Sequence, residues 1–306
     1  MTDITTDVTA FFDAHEVNTD TFDRLADLAL ESFDARGRFR ELLDEYRARV
    51  EKGEGEAIKL ALGLLVLGRN RDALDWFDKT PDGKQRRYFA ARAALALGRH
   101  DQALDELKAA AAKGWDPLDV DLQMAAILLR KRDFSGAEAL IAKHGQAGRD
   151  RATWYFAQGL LHEFKDDWSA AADHYEKALT LDPDHAGAMF RCAYVYDVHG
   201  IDRQAIELYE RLALKPRAHV NALINLAVIY EDIGRFDEAI NCLQRVLKAY
   251  PNHTRARLFL KDAESCRQMV LIEAGDQRGD SANRLLETAI SEFELSVRAR
   301  NCLKKM

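Results

Sequence analysis

The sequence predicts an all-α fold in which pairs of amphipathic helices repeat along the chain as a solenoid. Three regularities indicate it, since a fixed period of 20 to 50 residues is typical of stacked repeats. Alanine returns at intervals of 30 and then four times 34 residues, at Ala73, Ala103, Ala137, Ala171, Ala205 and Ala239. Glycine precedes four of these alanines by five residues, at Gly68, Gly98, Gly200 and Gly234. All five prolines lie 8 to 14 residues after one of the alanines, at Pro81, Pro117, Pro183, Pro216 and Pro251.

The unit from Val220 to His253 shows both helices most clearly. Apolar residues recur at i, i+3, i+4 and i+7 in its first half, which is the stripe of a 3.6-residue period. Gly234 then ends the first helix, a second stripe begins at Phe236, and Pro251 prevents its continuation. This spacing, with alanine at 227 and 239 where two helices approach closely, resembles the tetratricopeptide repeat (TPR). The resemblance implies a right-handed α-solenoid whose first helices line a concave groove.

The chain can be divided from this period. Residues 1–22 are predicted to be a polar lead-in, and residues 23–273 to form the solenoid. The solenoid opens with a degenerate helix pair that breaks at Gly37, where Leu42 stands in place of the alanine. Six repeats follow, at about 54–83, 84–117, 118–151, 152–185, 186–219 and 220–253, and a capping helix covers 254–273 because a solenoid end must present a solvated surface. Residues 274–289 are predicted to be a linker.

Composition limits the class of protein. A chain of 306 residues that is 47% hydrophobic can bury a large core, and its net charge of -7 argues against a general nucleic-acid binder. The N-terminus has no basic and apolar leader, and the longest apolar run, Leu60 to Gly68, is too short to cross a membrane. Four cysteines without a CxxC pair favour reduced thiols. We therefore expect a cytoplasmic protein.

No catalytic motif is present: the sequence has no HExxH, no GxSxG and no glycine-rich phosphate loop after a strand. We expect no enzyme activity, no cofactor and no metal. His162 and His174 lie in one repeat, so a two-histidine metal site is conceivable, but without a third ligand ordinary packing is favoured. Trp168 is expected in the core, and Trp154 is expected to pack between repeats with partial exposure.

The predicted working surface is the groove. By resemblance to TPR proteins, positions 2, 5, 6, 9, 12 and 13 of each repeat point into it. Asn221 and Asn225 lie one helical turn apart, and an amide can donate to and accept from a peptide backbone. Solvated amides are the alternative for these two, and packing between repeats is the alternative for the aromatic residues. The candidate partner-binding residues are Phe156, Leu160, Phe164, Phe190, Arg191, Tyr194, Asn221, Asn225 and Val228.

These residues predict a protein or peptide partner rather than a small molecule. Aromatic side chains gathered on one surface are typical interface anchors. Some TPR proteins use asparagine at the sixth position to bind a peptide backbone. Clamps of the family that hold a terminal carboxylate combine lysine, asparagine and arginine; Arg191 and Asn225 fit part of that pattern, but its lysines are missing.

Residues 290–306 do not continue the repeat. The stretch FELSVRARNCLKKM resembles the opening of the C-terminal domain of the bacterial RNA polymerase alpha subunit. That resemblance implies a module that binds promoter DNA and activators, with Arg298 and Asn301 at DNA-contacting positions. The sequence stops at Met306 before the rest of such a module, so we expect a truncated part of a longer protein and no DNA binding by this chain. A transcription-associated factor that contacts DNA or RNA polymerase is the alternative function.

Overall fold

The computed structural model describes residues 4–13, 18–215 and 219–275, and all secondary structure in these ranges is helical. The chain forms two compact units, residues 1–195 and 196–306, whose boundary lies within one helix, and each unit is described by itself. The helices are α1 (Ile4–Asp13), α2 (Thr19–Ala29), α3 (Phe33–Glu51), α4 (Ala57–Val66), α5 (Asn70–Phe77), α6 (Lys84–Ala96), α7 (His100–Ala112), α8 (Pro117–Arg130), α9 (Phe134–Lys143), α10 (Ala152–Phe164), α11 (Trp168–Leu181), α12 (Ala186–Val198), α13 (Asp202–Ala213), α14 (Val220–Asp232), α15 (Phe236–Ala249) and α16 (Thr254–Gly275).

The periodic alanines define the helix pairs. In the first unit each first helix packs on the second helix that follows it, as α6 does on α7 and α10 on α11, and α14 packs on α15 in the second unit. All six alanines of the 30- and 34-residue series are fully buried. The predicted role of these small side chains is therefore confirmed, because the helices leave no exposed surface at these positions.

The turn between the two helices of a pair needs one residue with a positive φ angle. Gly68, Gly98, Gly200 and Gly234 supply it, with φ between 72° and 76°. In the two repeats without glycine, Arg132 and Asp166 take the same left-handed conformation, at φ 60°, which is unfavourable for a residue with a Cβ atom.

A compensating interaction is present in those two repeats. The residue after Arg132 or Asp166 is an aspartate that caps the second helix: Asp133 accepts a hydrogen bond from Gly136 N, and Asp167 accepts one from Ala170 N. The caps after the four turn glycines make no such side-chain bond. A side-chain cap stabilises a helix by about 1 kcal/mol, comparable with the strain of the turn.

The N-terminal end differs from the sequence-based expectation. The predicted break at Gly37 is wrong: Gly37 lies within α3, and the chain turns at residues 30–32 instead. Ser32 caps α3 by accepting a hydrogen bond from Ala35 N at 3.1 Å, and this short polar cap outweighs the helix-breaking tendency of one glycine. The predicted lead-in contains α1 and the start of α2, and Val8, Phe11 and Phe12 of α1 are buried.

A buried lysine fastens α1 to the repeats. Lys59 of α4 is 2% exposed, and its Nζ donates to the carbonyl of Phe12 at 2.8 Å. The same ammonium lies 2.6 Å from Glu56 Oε1, so the buried charge is paired, as a charge in an apolar setting must be. The ring of Phe12 stacks on Tyr46, with centroids 4.1 Å apart. The N-terminal helix is thus an integral part of the first unit.

At the other end, α16 runs from Thr254 to Gly275. The predicted linker from residue 276 onward and the whole of 290–306 lie outside the described residues, so the RNA polymerase-like segment stays a prediction. Cys192 and Cys242 are buried free thiols, and Cys266 is a partly buried one. Across the part of the chain that the structure describes, no helix combines the length and apolarity that a membrane crossing requires.

Candidate protein-binding site

Five apolar side chains of α10 and α12 lie on the first helices of the first unit and together form what we call the aromatic face: Phe156, Leu160, Phe164, Phe190 and Tyr194. Their spacing of four residues places them along one side of each helix. Phe164 and Tyr194 are each 37% exposed, and the other three are partly buried. The rings of Phe190 and Tyr194 stack with centroids 6.5 Å apart. The face therefore offers aromatic area to a partner.

The first helices near the N-terminus do not offer such a face. Phe22 of α2 is buried against Phe89 of α6, with ring centroids 5.1 Å apart. The guanidinium of Arg92 covers the Phe22 ring at 4.6 Å. The chain itself therefore occupies the apolar surface of the first helices in this part, and the open aromatic surface of the first unit lies on α10 and α12.

A polar network joins three helices beside the aromatic face. The carboxylate of Glu163 (α10) accepts a hydrogen bond from Tyr175 OH (α11) at 2.6 Å. It also accepts one from Arg191 Nε (α12) at 2.9 Å, and a second guanidinium nitrogen of Arg191 pairs with its other oxygen. Tyr175 is fully buried, and this burial raises the pKa of its hydroxyl. The positive charge of Arg191 is thus already neutralised within the protein.

The same device recurs 34 residues later, within the second unit. Asn225 Nδ2 donates to Tyr209 OH at 2.9 Å, and that hydroxyl lies 3.5 Å from Asp197 Oδ2, to which it donates. Asp197, Tyr209 and Asn225 correspond to Glu163, Tyr175 and Arg191. The sequence analysis missed this network, although an acid, a tyrosine and a donor at the repeat interval were a readable signal. Arg191 and Asn225, predicted to bind a partner, are both engaged internally.

The remaining candidates lie on α14 in the second unit. Asn221 is exposed and Val228 is partly buried. Ile224, which the same positional rule assigned to the groove, is fully buried and offers no surface. Of the two asparagines one turn apart, only Asn221 is thus fully presented to solvent. The structure does not test whether either of them binds a peptide.

The two tryptophans of the fourth repeat behave differently. The prediction that Trp168 is a core residue is wrong, because this first residue of α11 is 41% exposed. Trp154 packs as predicted: its Nε1 donates to the Ile141 carbonyl at 3.0 Å and its ring contributes to an apolar cluster. Gly148 makes room for that ring, since a Cβ there would lie 2.3 Å from it.

His162 and His174 are stacked, with ring centroids 5.1 Å apart. His162 Nδ1 lies 3.3 Å from Asp167 Oδ2, whereas the buried Nδ1 of His174 has no hydrogen-bond partner. Burial and, second, the neighbouring His162 lower the pKa of His174. Within the described ranges no group of three histidine, cysteine or acidic side chains could hold a metal ion.

Comparison with known proteins identifies the repeats. Three segments of the chain, residues 85–109, 152–185 and 203–262, match tetratricopeptide repeat families. Yeast Tom70 superposes with a TM-score of 0.59 over 93% of this chain and 73% of its own, at 15% identity. A chain of the Cut9–Hcn1 complex gives 0.52 over 85% of this chain and 52% of its own, at 18% identity. These similarities concern the fold, and they confirm the predicted all-α TPR solenoid.

More distant sequence similarity links the chain to assembly proteins. The photosystem I assembly protein Ycf3 of Prochlorococcus marinus subsp. pastoris is 27% identical over 106 residues, which are 33% of this chain and 61% of that protein. Ycf3 of strain MIT 9301 is 24% identical over 133 residues, 38% of this chain and 77% of that protein. The chain thus spans about three fifths of the first relative's length. The repeats indicate a protein-interaction scaffold with protein partners.

Proposed function

We propose that this chain is a non-catalytic scaffold that binds a peptide or helix of a partner protein on the aromatic face. The observation that carries the proposal is the contrast between two parts of the first unit. The first helices near the N-terminus bury Phe22 and Phe89 against each other, whereas α10 and α12 leave Phe164 and Tyr194 exposed. Exposed aromatic residues gathered on one surface are the usual anchors of protein interfaces.

The polar network defines the role of the charged candidate. Because Glu163 already neutralises Arg191, a partner carboxylate gains little from that arginine. The guanidinium carbon of Arg191 also lies 5.1 Å from the Tyr194 ring centroid, so it supports the aromatic face from the side. We therefore expect the bound segment to be apolar or aromatic where it contacts α10 and α12. In the second unit, Asn221, Asn225 and Val228 of α14 are proposed as further partner contacts.

The relatives suggest a setting for such a scaffold. Ycf3 is named as an assembly protein, and a protein that holds subunits during assembly needs an apolar surface and no catalytic site. We propose, by analogy with it, that this chain also holds a partner transiently, and that it does so in the cytoplasm. No cofactor is needed for this activity.

The test uses site-directed photo-crosslinking in the cells that produce the protein. Benzoylphenylalanine placed at residue 164 or 194 should capture the same partner, and at residue 33 it should not. Phe33 is the matched control because it is an aromatic residue of the same unit that is 54% exposed but lies on α3.

The captured partner is then purified and its affinity measured by fluorescence anisotropy. The double variant Phe164→Ala/Tyr194→Ala should bind at least ~10-fold more weakly, since a buried aromatic anchor contributes more than about 1.4 kcal/mol. Phe33→Ala should bind as the unchanged protein does. Equal affinities of the double variant and the unchanged protein would reject the aromatic face as the binding site.

The second candidate function depends on residues 290–306. Their resemblance to the RNA polymerase alpha C-terminal domain favours a transcription-associated factor in which Arg298 and Asn301 contact DNA. Anisotropy with an AT-rich duplex should then show salt-sensitive binding by the complete gene product. Binding that is absent at low salt, or that persists unchanged in Arg298→Ala/Asn301→Ala, would exclude it.

A further inference from the structure

Three histidines occupy the same place in successive repeats. His185, His219 and His253 follow one another at intervals of 34 residues, and each directly precedes a first helix. In each case the ring Nδ1 accepts a hydrogen bond from the backbone N–H three residues later, at distances of 3.0, 3.2 and 3.1 Å. The histidines are thus N-caps, in positions where a helix otherwise uses aspartate, asparagine or serine.

A histidine cap differs from the others in its response to acid. Nδ1 can accept a hydrogen bond only while it carries no proton, so the bond requires the neutral tautomer that is protonated at Nε2. Protonation turns Nδ1 into a donor and places a positive charge at the helix N-terminus, where the helix dipole disfavours it. Aspartate caps such as Asp167 keep their acceptor at mildly acidic pH. The histidine caps alone are lost on mild acidification.

His185 connects such a cap to the aromatic face. Its ring packs against Phe156 of α10, with centroids 5.0 Å apart. Gly187 allows this approach, because a Cβ there would lie 3.2 Å from Phe156 Cζ and 3.3 Å from His185 Cε1. The same imidazole therefore holds the N-terminus of α12 through Ala188 N and supports an aromatic side chain of α10 through its ring.

The groups around His185 determine its titration. Burial lowers the pKa of His185, and the carboxylate of Asp182 in the preceding loop acts in the opposite direction. Asp184 is the other acidic residue of that loop, and the residue that packs on the ring from α10 is the uncharged Phe156. Because the folded pKa lies below the ordinary value of about 6.5, the cap contributes fully above that pH. Its contribution is lost as the pH falls through the folded pKa.

We propose that His185 is a proton-operated switch of the aromatic face: the neutral ring caps α12 and supports Phe156, and protonation releases both. This inference rests on the proposed function for its biological use, since the regulated surface is the proposed binding surface. Its physical part concerns His185, Ala188 and Phe156 alone, and it can be measured without any partner.

The experiment uses the full chain and two variants. His185→Asn supplies a cap that does not titrate, because the amide oxygen accepts the same backbone hydrogen bond. His100→Asn is the control, since it removes an exposed imidazole that forms no such cap. NMR at pH 7.5 should show His185 with a bare Nδ1 and a protonated Nε2.

Amide exchange then reports on the cap. After correction for the intrinsic effect of pH, Ala188 should lose about five- to tenfold in protection between pH 7.5 and pH 5.5 in the unchanged protein and in His100→Asn. Its protection should change less than about twofold in His185→Asn. Fluorine NMR of 4-fluorophenylalanine at residue 156 should show an acid-dependent shift that His185→Asn abolishes. A protonated Nδ1 at pH 7.5, or an equal loss of Ala188 protection in all three proteins, would overturn the proposal.

Partner binding separates the two levels of the argument. If the crosslinked partner binds more weakly at pH 5.5 to the unchanged protein but not to His185→Asn, the switch regulates the proposed site. If Ala188 and residue 156 respond to acid as expected while Phe164→Ala/Tyr194→Ala leaves binding intact, the switch stands and the proposed binding face is refuted.

Discussion

A pair of glycine substitutions gives a direct test of the packing described above. Gly159 of α10 faces the buried ring of Tyr175: a Cβ at residue 159 would lie 2.4 Å from Cε1 and 2.5 Å from Cδ1 of that ring. Tyr175 has no exposed surface, and its hydroxyl is held by Glu163, so the ring cannot move aside freely. Gly37 of α3 is the matched control, since it is also helical and no atom lies within 4 Å of its would-be Cβ.

The expected effects have opposite signs. Alanine is favoured over glycine inside a helix by about 1 kcal/mol, and this gain should appear in full for Gly37→Ala. For Gly159→Ala, overpacking of a close contact costs roughly 1–3 kcal/mol. The net result is a destabilisation of up to about 2 kcal/mol, because the gain in helix propensity offsets part of that cost.

The assay is urea denaturation followed by tryptophan fluorescence and by circular dichroism, because a repeat protein can lose its repeats separately. Gly37→Ala should raise the urea midpoint and Gly159→Ala should lower it. In a Tyr175→Ala background the clash is absent, and Gly159→Ala should then be stabilising, which a double-mutant cycle isolates as a coupling energy. Midpoints that move in the same direction for Gly37→Ala and Gly159→Ala, with no coupling to Tyr175, would refute the packing.

Three further predictions concern stability. Ala205→Leu should lower the free energy of unfolding by about 1–3 kcal/mol, because the buried alanine lies at a close helix crossing; a urea midpoint equal to that of the unchanged protein would mean that the repeat register is wrong. Asp167→Ala should cost about 0.5–2 kcal/mol in the same assay, and Asp167→Asn, which keeps a capping oxygen, should be nearly neutral. Burial opposes ionisation of Asp121, but hydrogen bonds from Lys143 and His144 outweigh it and hold the pKa of Asp121 below its usual value. The stability difference between the unchanged protein and Asp121→Asn should therefore shrink as the pH falls below about 4, and a difference independent of pH would contradict this ion pair.

The repeat period was accessible from the sequence because packing imposes it directly. Two helices cross closely only where a small side chain returns, so the alanine series located six helix pairs before any coordinates were consulted. The break at Gly37 failed for a local reason: one glycine is tolerated inside a helix, and the cap of Ser32 determines where α3 begins. Trp168 failed because the position after a capping residue fixes the helix start and leaves the side chain free to face outward.

The candidate site was only partly accessible. Position within the repeat located the aromatic residues of α10 and α12, but it did not show that the corresponding surface of α2 and α6 is filled by Phe22 and Phe89. Nor did it show that Arg191 and Asn225 have partners inside the protein, since a donor's partner lies on another helix. The three capping histidines could have been found, because their 34-residue spacing is visible in the sequence.

These results separate two uses of the same period. Buried alanines repeat because every helix pair needs them, whereas the acid–tyrosine–donor network and the histidine caps repeat only in the later repeats. Residues 129, 141 and 157, one period before Glu163, Tyr175 and Arg191, are leucine, isoleucine and alanine, and all three are buried. Packing alone therefore does not require the polar network. A buried hydrogen-bonded carboxylate costs desolvation energy that an apolar core avoids, so its presence beside the exposed aromatic residues is better explained by the positioning of a binding surface than by stability.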